Sequence, residues 1–149
     1  MRYYLDCEFD GHGGPLISLA LYRKDGRHLY LVRDDAEFMI QDLWVRQNVF
    51  PILRSVPSNI GIDVVPIGEF GQKIAEFFQD ETPYIVCDWP MDASLFSQTL
   101  MIRPDRMATL PNYVVQVFRI DAYEGTPFKN AVRHNAAWDA IVLCDAIEP

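Results

Sequence analysis

The chain has 149 residues, 50% of them hydrophobic and 23% charged, enough apolar material for a sizeable core in one domain over residues 1–149. Its formal net charge of −8 excludes a protein that coats duplex nucleic acid through a broad basic surface, but not one that grips a few nucleotides. No apolar run approaches the roughly 18 residues that span a bilayer, and Met1-Arg2-Tyr3 opens no apolar leader, so a cytoplasmic protein with no membrane contact is expected. Cys7, Cys87 and Cys144 lack Cys-x-x-Cys spacing and suit a reducing compartment.

Residues 2–9 read as a strand. Asp10-Gly11-His12-Gly13-Gly14-Pro15 is a turn, and Leu16 to Tyr22 is a second strand with Ile17, Leu19 and Leu21 on one face. Lys24-Asp25-Gly26-Arg27 is a hairpin signal, since Asp-Gly fits a type I′ turn, and Leu29 to Val32 is the third strand. Asp42 to Leu53 has helical spacing, with Pro51 near its end. Ser55 to Val65 reads as an irregular link. Pro66 opens the next helix, whose apolar stripe Ile67, Phe70, Ile74, Phe77 and Phe78 reads as core.

Tyr84-Ile85-Val86-Cys87 is a wholly apolar strand, as expected of a buried central one. Pro90 to about Leu100 is helical, Arg103 to Asn112 is a loop, and Tyr113 to Ile120 alternates as a strand. Asp121 to Arg133 is a mixed-polarity loop or broken helix. Ala136 to Ile147 is the last helix.

Three segments carry acids where chemistry is expected. On the first strand, Asp6 and Glu8 are two apart and share a face, while Leu5, Cys7 and Phe9 take the other. Two adjacent anions repel unless a cation sits between them, and a hard divalent ion such as magnesium suits carboxylate oxygens. The plainer alternative is an edge strand with two solvated acids. In the second segment, Cys87-Asp88-Trp89-Pro90-Met91-Asp92, a strand ends and a helix begins, the favoured place for ligands in open α/β sheets. There Asp88 and Asp92 face a ligand together, or Asp88 is an N-cap and Asp92 a first-turn acid at the helix dipole. In the third, Arg133-His134-Asn135-Ala136-Ala137-Trp138-Asp139, His134 lies in the loop, Asn135 caps the helix, and Asp139 sits in its early turns.

The order β-β-β-α-α-β-α-β-α implies a mixed five-stranded sheet with helices on its faces, and resembles the ribonuclease H-like α/β fold. With Asp6-x-Glu8-Phe9, an Asp at the middle helix and His134-x-Ala136-x-x-Asp139-Ala140, the chain from Tyr3 to about Ile147 resembles the DEDDh family of three-prime-to-five-prime exonucleases. Trp44-Val45-Arg46 after the meander is similar to a segment of the short bacterial exoribonucleases of that family. The family's second motif is commonly Asn-x-x-x-Asp; here Asp88 stands at the Asn position and Asp92 at the acid position.

The resemblance implies two magnesium or manganese ions held by Asp6, Glu8, Asp92 and Asp139, about 4 Å apart. It implies His134 as the general base toward an attacking water. The expected substrate is a single-stranded three-prime end, of RNA with DNA as the alternative, with release of nucleoside monophosphates. Phe9, Trp89 and Trp138 beside the acids are candidates for base stacking, and Lys129 and Arg133 for phosphate contacts; core packing and a solvated charged loop are the plain alternatives. Because the resembling family often dimerises to complete its substrate surface, a homodimer is expected. A nuclease-inactive binding module of the same fold is the other class to separate.

Overall fold

In the computed structural model, which describes residues 1–108, 110 and 112–149, three strands form an antiparallel meander. They are β1 (Arg2–Phe9), β2 (Leu16–Tyr22) and β3 (His28–Arg33). The β2 and β3 strands are joined by residues 23–27, which do not form the expected type I′ turn. Gly26 alone takes positive φ, at 91°, and Arg23 N–H donates to Arg27 O at 2.8 Å. A type I′ turn needs two such residues, and Asp25 does not adopt that conformation. In the β1–β2 turn a Cβ on Gly14 would lie 1.8 Å from Asp10 O, so only glycine fits.

The segment from Asp42 is shorter than expected as a helix. Helix α1 (Ala36–Met39) precedes it, α2 covers Leu43–Asn48, and a 3-10 turn takes Phe50–Ile52. Pro51 lacks the N–H that would continue the helical ladder. Within the link read as irregular, β4 (Asp63–Val65) pairs parallel with β3. The sheet therefore has six strands, not five, in the order β4-β3-β2-β1-β5-β8. Strand β4 is short and largely exposed, so backbone pairing rather than burial defines it.

Pro66 precedes a 3-10 turn at Ile67–Glu69, and α3 follows over Phe70–Phe78. Strand β5 (Tyr84–Cys87) is parallel to β1, and α4 spans Pro90–Thr99. The expected Arg103–Asn112 loop instead begins with a small hairpin of β6 (Met101–Arg103) and β7 (Arg106–Met107); its Pro111 lies outside the described residues. Strand β8 (Val114–Val117) is half the expected length and parallel to β5. Between it and α5 (Ala136–Ile147) the chain runs in turns. Among the described residues, no helix is long and apolar enough to cross a membrane.

The sheet buries both faces. On one, Leu5, Cys7, Leu19, Leu31 and Ile85 meet Phe70, Ile74 and Phe78 of α3 and Leu95 and Phe96 of α4. On the other, Ala20, Tyr30 and Ile17, which a bulge opposite Glu8 and Phe9 turns away from the expected Leu19 face, meet Val45 of α2 and Ala136, Ala137, Ala140 and Ile141 of α5. Each fully buried Leu, Ile or Phe contributes about 1.5–3 kcal/mol. The alanines keep little side chain between α5 and the sheet, which brings the start of α5 close to β1.

Candidate active site

Along β1, Tyr3, Leu5 and Cys7 point into the α3/α4 core, and Tyr4 packs on the α5 side with Val142 and Leu143. The two-residue period puts Asp6 and Glu8 on the α5 side too. There they meet Asp139, and Asp6, Glu8 and Asp139 each present an oxygen within 4.8 Å of the others. A second triad, Asp6, Asp88 and Asp92, satisfies the same limit. Asp6 belongs to both.

Asp88 is not the N-cap of α4. Trp89 holds that position with extended backbone (φ −124°, ψ 134°), and Pro90 begins the helix. Pro90 disfavours helical backbone at the residue before it, so the helix starts too late for Asp88 to cap it. Asp92, in the first turn, is only 2% exposed.

The start of α5 is built from local hydrogen bonds. The Asn135 side chain accepts from Trp138 N–H at 3.1 Å, the expected cap. Its amide donates to Ile52 O at 2.9 Å, tying the cap to the 3-10 turn. His134 before it has φ 68°, and its N–H donates to Asp139 Oδ2 at 3.1 Å. The Tyr123 hydroxyl donates to Asp139 Oδ1.

Burial and crowding of like charges raise the proton affinity of every acid in the group. Asp6 and Glu8 lie well above the usual carboxylate range, through burial first and then the charges of Asp139 and Asp92. Burial, then the Asp88 charge, pushes Asp92 up to about 8. Burial pushes Asp139 up to about 7 against the lowering hydrogen bonds from Tyr123 and His134. Asp88 is raised by burial. His134 is lowered, by burial first and then by the Arg133 charge, which favours the neutral imidazole.

The donor set fits divalent cations. Asp6 Oδ2 and Asp92 Oδ2 are buried with no hydrogen-bond partner, an arrangement costly for a carboxylate unless a proton or cation satisfies it. Hard carboxylate oxygens suit magnesium or manganese. The triads open into a cavity of about 550 Å³ that is also lined by Phe9, Trp89, Tyr123, Arg133 and His134.

No family model matches the chain. Two proteins of Mycobacterium tuberculosis, from strains CDC 1551 / Oshkosh and ATCC 25618 / H37Rv, are each named a 3'-5' exoribonuclease and are 42% identical to it over 62 residues. That stretch is 40% of this chain and 37% of either relative, so the match spans little over a third of their length.

The outer residues divide. Trp89 is 48% exposed at the cavity, with the Arg119 guanidinium 4.4 Å from its ring centre. Phe9 lines the cavity but also packs on the core. Arg133 lines it too, pairs with Asp121 at 3.0 Å and covers the Tyr123 ring. Lys129 is exposed and does not line the cavity. Trp138 packs against Phe128 in the core.

Two site residues escape sequence reasoning. Tyr123 sits in a polar loop with no local pattern to mark it. Trp44 stands in the Trp-Val-Arg segment, whose sequence does not show its contact: its ring meets His134 edge-on, with centroids 5.0 Å apart. Asp10 holds α2 for this contact by accepting from Gln41 N–H at 2.8 Å and Asp42 N–H at 2.9 Å.

Proposed function

We propose that this chain is a metal-dependent three-prime-to-five-prime exoribonuclease of the DEDDh type, releasing nucleoside monophosphates from single-stranded ends. The observation that carries the reading is the pair of acid triads sharing Asp6, in one cavity with His134. The likeness to two proteins named 3'-5' exoribonuclease supports RNA as the substrate. The six-stranded mixed sheet with helices on both faces is consistent with a ribonuclease H-like fold.

Asp6, Glu8 and Asp139 would hold one magnesium or manganese ion, and Asp6 with Asp92 a second. Two such ions, when bound, lower the pKa of an attacking water and stabilise charge on the attacked phosphate and the departing oxygen. The chain's own residues do the rest. His134, held neutral by burial, accepts the water's proton on its imidazole and passes it to solvent. Tyr123 and the His134 N–H orient Asp139 by binding both of its oxygens. Trp89 offers a stacking surface for a terminal base, and Arg133 a charge for a backbone phosphate. The net charge of −8 leaves little basic surface to hold and open a duplex.

The test is digestion of matched single-stranded RNA and DNA, labelled at the five-prime end, with magnesium, manganese or chelator. The expected result is RNA shortened stepwise from its three-prime end with mononucleotide release, and no cleavage in chelator. Undiminished cleavage in chelator overturns the mechanism, and faster digestion of DNA overturns the substrate assignment.

A further inference from the structure

We infer that Asp88 is itself a metal ligand, so that the second cation position is bounded by three carboxylates, Asp6, Asp88 and Asp92. The inference rests on the metal-dependent reading above and deepens it. Three observations carry it. The first is backbone register. Parallel strands β1 and β5 pair Tyr4 with Val86, and both side chains lie in one cluster with α5. Two residues further on come Asp6, still within β1, and Asp88, the first residue past the end of β5. The two-residue period returns Asp6 to the face that Tyr4 and Val86 share, and an Asp88 oxygen meets it there within 4.8 Å.

The second is the surroundings of the position these acids enclose. Oxygens of Asp6, Asp88 and Asp92 lie within 4.8 Å of one another. Asp92, 2% exposed, has a buried Oδ2 without a hydrogen-bond partner, as has Asp6. Buried acceptors left unpaired beside a further carboxylate call for a positive group, not another anion.

The third is that the ordinary employments of Asp88 are filled by others. Trp89 takes the N-cap position of α4, with no side chain capping it. Among the described residues no Lys or Arg forms an ion pair with Asp88. Arg133 pairs with Asp121, and Arg119 lies over Trp89. With Asp88 included, five carboxylate charges face the four positive charges of two divalent ions. An asparagine at 88 would keep an oxygen there but remove the excess charge. The second ion is therefore held more tightly than by an Asn-x-x-x-Asp pair, since ligand charge sets the affinity of such sites.

Calorimetric titration of manganese into the metal-free protein tests this without reference to turnover. Wild type, Asp88→Asn, Asp88→Glu, Asp92→Asn and Glu8→Gln are compared, each shown folded by circular dichroism. The wild type should bind two ions. Asp88→Asn should weaken one of them by roughly tenfold, a ligand-charge effect, and leave unchanged the ion that Glu8→Gln weakens. Asp88→Glu should not restore wild-type affinity, because the longer side chain displaces its oxygens. The manganese-induced rise in melting temperature should fall in the same variants, which gives a second readout.

Wild-type affinity in Asp88→Asn, alongside loss of one ion in Asp92→Asn, overturns the role of Asp88 and leaves the metal reading standing. Wild-type affinity in Asp88→Glu shows a through-space charge effect and overturns ligation. No binding by the wild type at millimolar manganese overturns both.

Discussion

Asp139 and Asp92 both enter the site from the first turn of a helix, yet the protein holds them differently. Both Asp139 oxygens accept hydrogen bonds, from the Tyr123 hydroxyl and from His134 N–H. Asp92 is more deeply buried and keeps one oxygen without a partner. Burial raises the proton affinity of both, and the hydrogen bonds from Tyr123 and His134 draw that of Asp139 back down. On the α5 side the protein's own hydrogen bonds hold Asp139 in place. The α4 side is organised by burial and depends on a positive partner to complete it.

The largest expected effects come from removing either acid. Asp92→Asn and Asp139→Asn should each reduce single-turnover cleavage to background and weaken metal binding in calorimetry. Retained turnover in Asp92→Asn would mean that the α4 side is dispensable. His134→Ala should lower the rate by roughly 10²–10⁴-fold, the usual range for loss of a general base. Because His134 is not assigned as a ligand, manganese affinity should stay near wild type. A loss of metal binding equal to that of Asp139→Asn would show another role.

Both acids bind more protons in the folded chain than in the unfolded one, because their folded pKa values lie above the ordinary range. The stability they contribute is complete below about pH 4, the unfolded carboxylate value. It is lost as pH rises through about 7 for Asp139 and about 8 for Asp92. Metal-free protein should therefore show a falling urea midpoint between pH 5 and pH 8 from these groups, and saturating manganese should reverse the trend. A midpoint that rises over that range without metal would contradict the assigned burial.

Tyr123→Phe sharpens the comparison by making Asp139 more like Asp92. Loss of the hydroxyl should raise the proton affinity of Asp139 and cost about 10- to 100-fold in metal affinity or turnover, the range for groups that orient a ligand. Manganese titration at pH 6 and pH 8 should show the larger loss at the lower pH. The smallest effect is expected from Trp44→Ala. An edge-on aromatic contact contributes about 0.5–1.5 kcal/mol, so turnover should fall roughly 2- to 10-fold, with Trp44→Phe recovering part of it. An unchanged rate in steady-state kinetics would show that Trp44 does not steady His134.

Sequence by itself determined the parts governed by neighbours in the chain. Apolar alternation placed Asp6 and Glu8 on one face of β1, and Asn135 marked the start of α5 at the observed residue, Ala136. The apolar run Tyr84–Cys87 marked β5. Caps and alternation act over a few residues, so they are legible without a fold. Tertiary structure alone decided the rest. Strand β4 exists because β3 pairs with Asp63–Val65; its own residues are too few and too exposed to announce it. The hydrogen bond from Tyr123 to Asp139 spans 16 residues of sequence, and the contact of Trp44 with His134 joins segments on different elements. The placing of Asp88 beside Asp6 follows from the β1–β5 register, which backbone hydrogen bonds set between strands far apart in the chain and no local pattern specifies.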